Sequence, residues 1–163
     1  GQDVWFSKEA IGKSFTPVRA SSSMPFLAPI VHMGGRELLD GALVSPIPYE
    51  KARAEGYEKF IFVLTRNKGY QKKNHIPKIL LKTWYKDYPK LWEIMEQRPA
   101  IYNKQLAEAE RLEQEGKAVI IRPQIPLEID KLDIKPDKLL ALHDHGIGCG
   151  LAANEKILQL AEK

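Results

Sequence analysis

Asp40 is the residue whose type and setting most suggest chemistry. It stands where the apolar stretch Leu38-Leu39 meets Gly41-Ala42. A carboxylate leaving a buried strand sits where α/β folds gather their reactive groups. Gly41 shapes the turn, because a residue without a Cβ permits a sharp bend and the close approach of another group. The same carboxylate could instead do no more than close an Asx-turn, which Asp does often. To act as a base it needs a nucleophile within hydrogen-bond reach. Upstream, Ser21, Ser22 and Ser23 read as small residues that pack beneath such a site and cap backbone, rather than as nucleophiles.

Other clusters carry less. His143-Asp144-His145 with Cys149 has the residue types of a metal site. Yet the two histidines are two apart on an expected helix, so they point to different faces. As cations near a helix C-terminus they suit the dipole without any ligand. Gly146, Gly148 and Gly150 follow no strand and do not form a dinucleotide fingerprint; they read as a turn between helices. Gly12-Lys13-Ser14 echoes the end of a phosphate-binding loop, but Ser7 stands where that motif needs Gly. Between 66 and 78 the chain is basic, with Arg66, Lys68, Lys72, Lys73, Lys78 and His75 and no acid. This run reads as a solvated loop or as a patch drawn weakly to anionic lipid headgroups, with Tyr70, Trp84 and Tyr85 as aromatic anchors. No nucleic-acid motif accompanies it. Trp84, Tyr85, Tyr88 and Trp92 follow at helical spacings that suit a core or a lid.

The elements that must position these residues are legible in outline. Thr16-Pro17 opens a short helix that stops before Pro25. Gly34-Gly35 between Ile30–Met33 and Arg36–Leu39 predicts a hairpin. A helix over Tyr49–Glu55 ends at Gly56. Lys59–Thr65 holds Phe60-Ile61-Phe62-Val63-Leu64, apolar on both faces, as in a central strand of a parallel sheet covered on both sides. Helices are expected over 76–87, 89–97 and 100–115. Ala118–Ile121 is a second buried strand, closed by Arg122-Pro123. An extended stretch leads to a helix over Asp137–His145, then the glycine turn, then an amphipathic helix over 151–162.

Composition bounds the class. The chain has 163 residues, 44% hydrophobic and 28% charged, with a formal net charge of +4. These values describe a globular chain and exclude collagen-like, coiled-coil and disordered classes for most of it. The charge is too small to imply nucleic acid. One cysteine excludes an internal disulfide and suits a cytoplasmic setting. No apolar run approaches the ~18 residues of a membrane span.

Four elements in order resemble the patatin-like phospholipases of the bacterial type. They are Arg19-Ala20-Ser21-Ser22-Ser23-Met24-Pro25-Phe26, the Gly-Gly hairpin leading to Leu39-Asp40-Gly41-Ala42, Pro46-Ile47-Pro48, and Gly56-Tyr57 with the strand from Lys59 to Arg66. The resemblance covers about residues 15–70. It implies an α/β chain, part of a three-layer α/β/α fold. Residues 1–122 would form the C-terminal half of the hydrolase domain and residues 123–163 a helical extension. It implies hydrolysis of an acyl ester or phospholipid by a Ser-Asp dyad without cofactor or metal, with Asp40 as the catalytic base. The family's G-x-S-x-G nucleophile and its Gly-rich oxyanion loop are absent from the sequence. The chain would therefore hold the base without the nucleophile and be inactive alone. Half of such a sheet exposes an edge and an apolar face, so pairing with the missing N-terminal half or self-association is expected. Two other classes stay open: a non-catalytic lipid-surface or protein-interaction module, and a partner-binding tail formed by residues 123–163.

Overall fold

The computed structural model describes residues 1–12, 14–74, 76–127 and 135–162. The chain is mixed α and β and divides into two compact units. One joins Gly1–Pro48 to Lys72–Gln105; the other joins Tyr49–Gln71 to Leu106–Lys163.

The first unit begins with α1 (Lys8–Ile11) and α2 (Thr16–Ser21); Thr16 is the first residue of α2 and Pro17 its second, and Phe15 takes the N-cap position without a side-chain hydrogen bond. Strands β1 (Val31–Met33) and β2 (Arg36–Leu38) pair antiparallel, with Val31 opposite Leu38 and Met33 opposite Arg36. Gly34 and Gly35 join them at φ 57° and 71°. Two consecutive positive φ values match the strand twist and favour glycine. Asp40 then leads into a single 3-10 turn, Gly41–Leu43. Helix α4 (Lys78–Trp84) and residues 89–105 of a long helix complete the unit. Its core is Leu43, Leu81, Tyr85, Leu91 and Met95, with Phe26, Leu39 and Trp92 packed against them. Trp84 stays largely exposed.

The second unit holds α3 (Tyr49–Ala54), β3 (Phe60–Val63), β4 (Ala118–Ile121) and α6 (Pro136–Glu162). The long helix α5 (Pro89–Gln114) contributes residues 106–114 to it. Strands β3 and β4 are parallel, with Phe60 opposite Ala118 and Val63 opposite Ile121. Each face of this two-stranded sheet carries a helix. On one, Tyr49 of α3 meets Phe60 and Phe62 edge-on, at centroid distances of 6.3 and 6.0 Å. On the other, Val119 and Ile121 pack under Ala153, Ile157 and Leu160 of α6.

Three expectations need correction. The separate helices 89–97 and 100–115 are one helix that runs through Pro99. Proline removes one hydrogen bond there, but Leu91 and Met95 before it and Leu106, Ala109 and Leu112 after it are all buried, and this burial holds the helix. The glycine turn at 146–150 is helical, and α6 is continuous from Pro136 to Glu162. Each glycine costs a helix about 1 kcal/mol relative to alanine; the packed face that includes Ala153, Ile157 and Leu160 offsets it. Finally, β3 is not covered on both sides. Phe62 is buried, but Ile61 and Val63 are 51% and 72% exposed, because α6 lies over β4. Among the described residues no helix is long and apolar enough to cross a membrane.

Candidate functional site

The Asp40 turn is built from two irregular segments tied together by backbone. Asp40 N donates to Ser23 O at 2.9 Å. Ser23 is buried, and its hydroxyl donates to Arg19 O at 2.8 Å, which fixes the end of α2. Of the three serines only Ser23 is buried; Ser22 is exposed, and its hydroxyl donates to Val18 O and Arg19 O at 3.2 and 3.1 Å. Beyond the serines the chain turns through Phe26, held at φ 68°, a conformation that costs a bulky residue free energy. Tyr85 secures it: Phe26 N donates to the Tyr85 hydroxyl at 2.9 Å, and the rings meet edge-on at 5.2 Å.

The carboxylate of Asp40 is half-buried. Its Oδ1 accepts from Ala42 N at 2.7 Å, capping the 3-10 turn, and Leu43 N donates to Asp40 O at 3.1 Å. The Asx-turn anticipated as the alternative is therefore formed. It engages one oxygen; among the described residues Oδ2 accepts no hydrogen bond. Gly41 lies against Ser21, whose Oγ would be 3.6 Å from an added Cβ. Arg98 reaches the same turn from α5 and donates from Nε to Ala42 O at 3.0 Å.

Two residues here escaped the sequence reading. Arg98 is 56 residues from Ala42 and looks like one more surface cation of a helix. Gln105 is buried, and its Oε1 accepts from Ile47 N at 2.9 Å. Within Pro46-Ile47-Pro48 only Ile47 carries an amide hydrogen, so this bond satisfies the segment's one donor. A lone polar residue on an otherwise apolar helix face is the signal that could have found Gln105.

A concavity lies wholly in the second unit, at the C-terminal ends of β3 and β4. It encloses about 350 Å³, at the low end of the ~300–1,000 Å³ typical of ligand pockets. Val63, Ile121 and Leu142 supply apolar wall, Arg66 stands at the end of β3, and His145 and Cys149 come from α6. Cys149 Sγ lies 3.5 Å from His145 Nε2. His143 points elsewhere and contacts Asp144 in solvent, so the two histidines do diverge. No group of residues fit to hold a metal ion occurs among the described residues.

The basic run is divided between the two units. Arg66 stacks over the Tyr70 ring at 5.2 Å, in the second unit. Lys72 lies over the Tyr102 ring at 5.5 Å and its backbone N donates to Asn103 Oδ1 at 2.8 Å, in the first. Lys68 and Lys73 are exposed. His75 lies outside the described residues.

A family profile described as a domain of unknown function (DUF6363) matches residues 88–162. That span takes in all of α5, β4 and α6, and with them His145 and Cys149. It leaves Asp40 and its turn outside, and it covers less than half of the chain.

Proposed function

We propose that this chain supplies the general base of a patatin-like serine acyl hydrolase, with Asp40 as that base. The observation that carries the reading is the state of the Asp40 carboxylate. One oxygen is pinned by Ala42 N, which fixes the orientation, and the other accepts no hydrogen bond among the described residues. A base needs this combination: a held position and a lone pair free for an incoming proton. In the reaction Oδ2 takes the proton of a serine hydroxyl as its Oγ attacks the ester carbonyl. The alcohol leaves with a proton, and water then cleaves the acyl-serine. The serine and its oxyanion loop match no motif of this chain, so in this reading another segment of the same protein brings them.

The finer fold belongs to the same proposal. A parallel pair with a helix on each face is what a piece of a three-layer α/β/α sheet would look like. The exposed Ile61 and Val63 suit a strand that such a sheet would bury further. The substrate class is an acyl ester of a lipid, with Arg66, Lys68, Lys72 and Lys73 giving weak attraction to anionic headgroups. The exposed Lys68 and Lys73 also suit a second reading, a non-catalytic lipid-surface module.

The test is hydrolysis of a short p-nitrophenyl ester by the polypeptide that joins this segment to a G-x-S-x-G nucleophile. Asp40→Asn should lose roughly 10²–10⁴-fold in rate with unchanged circular dichroism. Equal rates for the two proteins would make Asp40 a turn residue and remove the proposal. If neither protein turns over, liposome flotation decides for the surface module.

A further inference from the structure

Helix α6 has apolar side chains on two opposite faces. One face packs on β4 through Ala153, Ile157 and Leu160. The other carries Leu140, Ile147, Leu151 and Leu158, which are 62%, 50%, 73% and 56% exposed. A helix that is apolar on both sides is normally sandwiched between two layers, and nothing among the described residues forms the second one.

The spacing of the outward residues is seven, four and seven, an alternating a/d pattern of the kind that forms helix-pair seams. The polar positions that complete it are Asp144 and Asn154. The pattern is symmetric about position 149. In an antiparallel pair of α6 helices, Leu140 meets Leu158, Ile147 meets Leu151, and Asp144 meets Asn154, each from the opposite copy. Every apolar position then finds an apolar one, and the amide of Asn154 can donate to the carboxylate of Asp144. A parallel pair would set Asp144 against Asp144, a like-charge contact that disfavours that arrangement. This self-complementarity is what a two-fold interface requires.

The glycines supply an independent argument. Gly148 and Gly150 flank the outward stripe, and a Cβ added at either would meet nothing within 4 Å. Packing inside the chain therefore does not need them, although each weakens the helix. Small residues beside a seam let a second backbone approach closely.

We infer that the outward face of α6 is a homodimer interface, in which two copies of this chain pair their α6 helices antiparallel about position 149. The inference is independent of any role for Asp40.

The test measures mass in solution by light scattering across a dilution series of the intact chain. A dimer is expected, and Leu151→Glu should weaken it by roughly 100-fold, since each of two symmetric sites loses at least about tenfold. Leu151 is exposed, so circular dichroism should show the fold intact. Ile147→Lys, at the position that faces Leu151 of the opposite copy, should give the same readout. The register is tested by oxidation after Cys149→Ser. Leu140→Cys and Leu158→Cys proteins should cross-link when mixed and not when alone, because like positions would lie about 27 Å apart along the axis. A monomer at every concentration, a dimer indifferent to both charged variants, or cross-linking of Leu140→Cys by itself would each overturn the inference.

Discussion

The two units solve different problems. The first carries more irregular backbone than the second, and polar side chains hold its loops in place. Ser23 grips Arg19 O, Arg98 grips Ala42 O, and Gln105 grips Ile47 N. The second is built mostly from parallel strands and helices, with Glu113 Oε1 accepting from Ile120 N of β4 at 3.0 Å. Among its described residues it has fewer such ties than the first, and it leaves apolar side chains such as Val63 and Leu151 facing outward. Irregular backbone must recruit side chains to pair its amides, and that recruitment can position a carboxylate like Asp40. Regular backbone frees its side chains, which can then face a partner.

This contrast can be broken by experiment. The largest effect is the rate lost in Asp40→Asn, which should leave the second unit unchanged. Next is Leu81→Ala, at the deepest side chain of the first unit, 1% exposed. It should cost about 3 kcal/mol by cavity formation. Trp5, Trp84 and Trp92 all lie in the first unit, so tryptophan fluorescence during urea unfolding reports that loss directly. Equal shifts in fluorescence and circular dichroism would mean that the units unfold together.

Gly146→Ala probes the second unit. A Cβ there meets nothing within 4 Å, so the change should stabilise α6 by about 0.5–1 kcal/mol. Circular dichroism should register it before fluorescence does.

The smallest effect is alkaline. Burial, then the charges of Glu50 and Glu108, raise the Tyr49 phenol above its ordinary value of 10.0. A raised folded-state pKa contributes stability that is present below about pH 10 and is lost as pH rises through the folded value. Tyr49→Phe should flatten that decline in the second unit. Tyr88, raised by its hydrogen bond to Glu37, should give the first unit a separate alkaline response that Tyr49→Phe leaves in place.

Much of the local structure was legible because it is locally caused. Gly34-Gly35 demands a turn of positive φ, Thr16-Pro17 opens a helix, and the apolar runs at 60–63 and 118–121 become strands. The Asx-turn at Asp40 was readable for the same reason, since its bond spans two residues. The two continuous helices were not. Pro99 and the glycines at 146–150 are breakers by local energetics, and each costs about 1–3 kcal/mol. Only the tertiary structure decides whether buried neighbours such as Met95 and Leu106, or Ala153 and Leu160, offset that cost.

The sequence by itself determined which segments turn, which carry an apolar face, and that a carboxylate stands beside a glycine at a strand end. Tertiary structure alone decided that β3 pairs with β4 across 54 intervening residues. It also decided that Arg98 and Gln105 hold loops far away in sequence, and that α6 keeps a second apolar face in solvent. The physical reason is that local bonds depend on neighbours in sequence. Burial depends on every element that competes for the same surface.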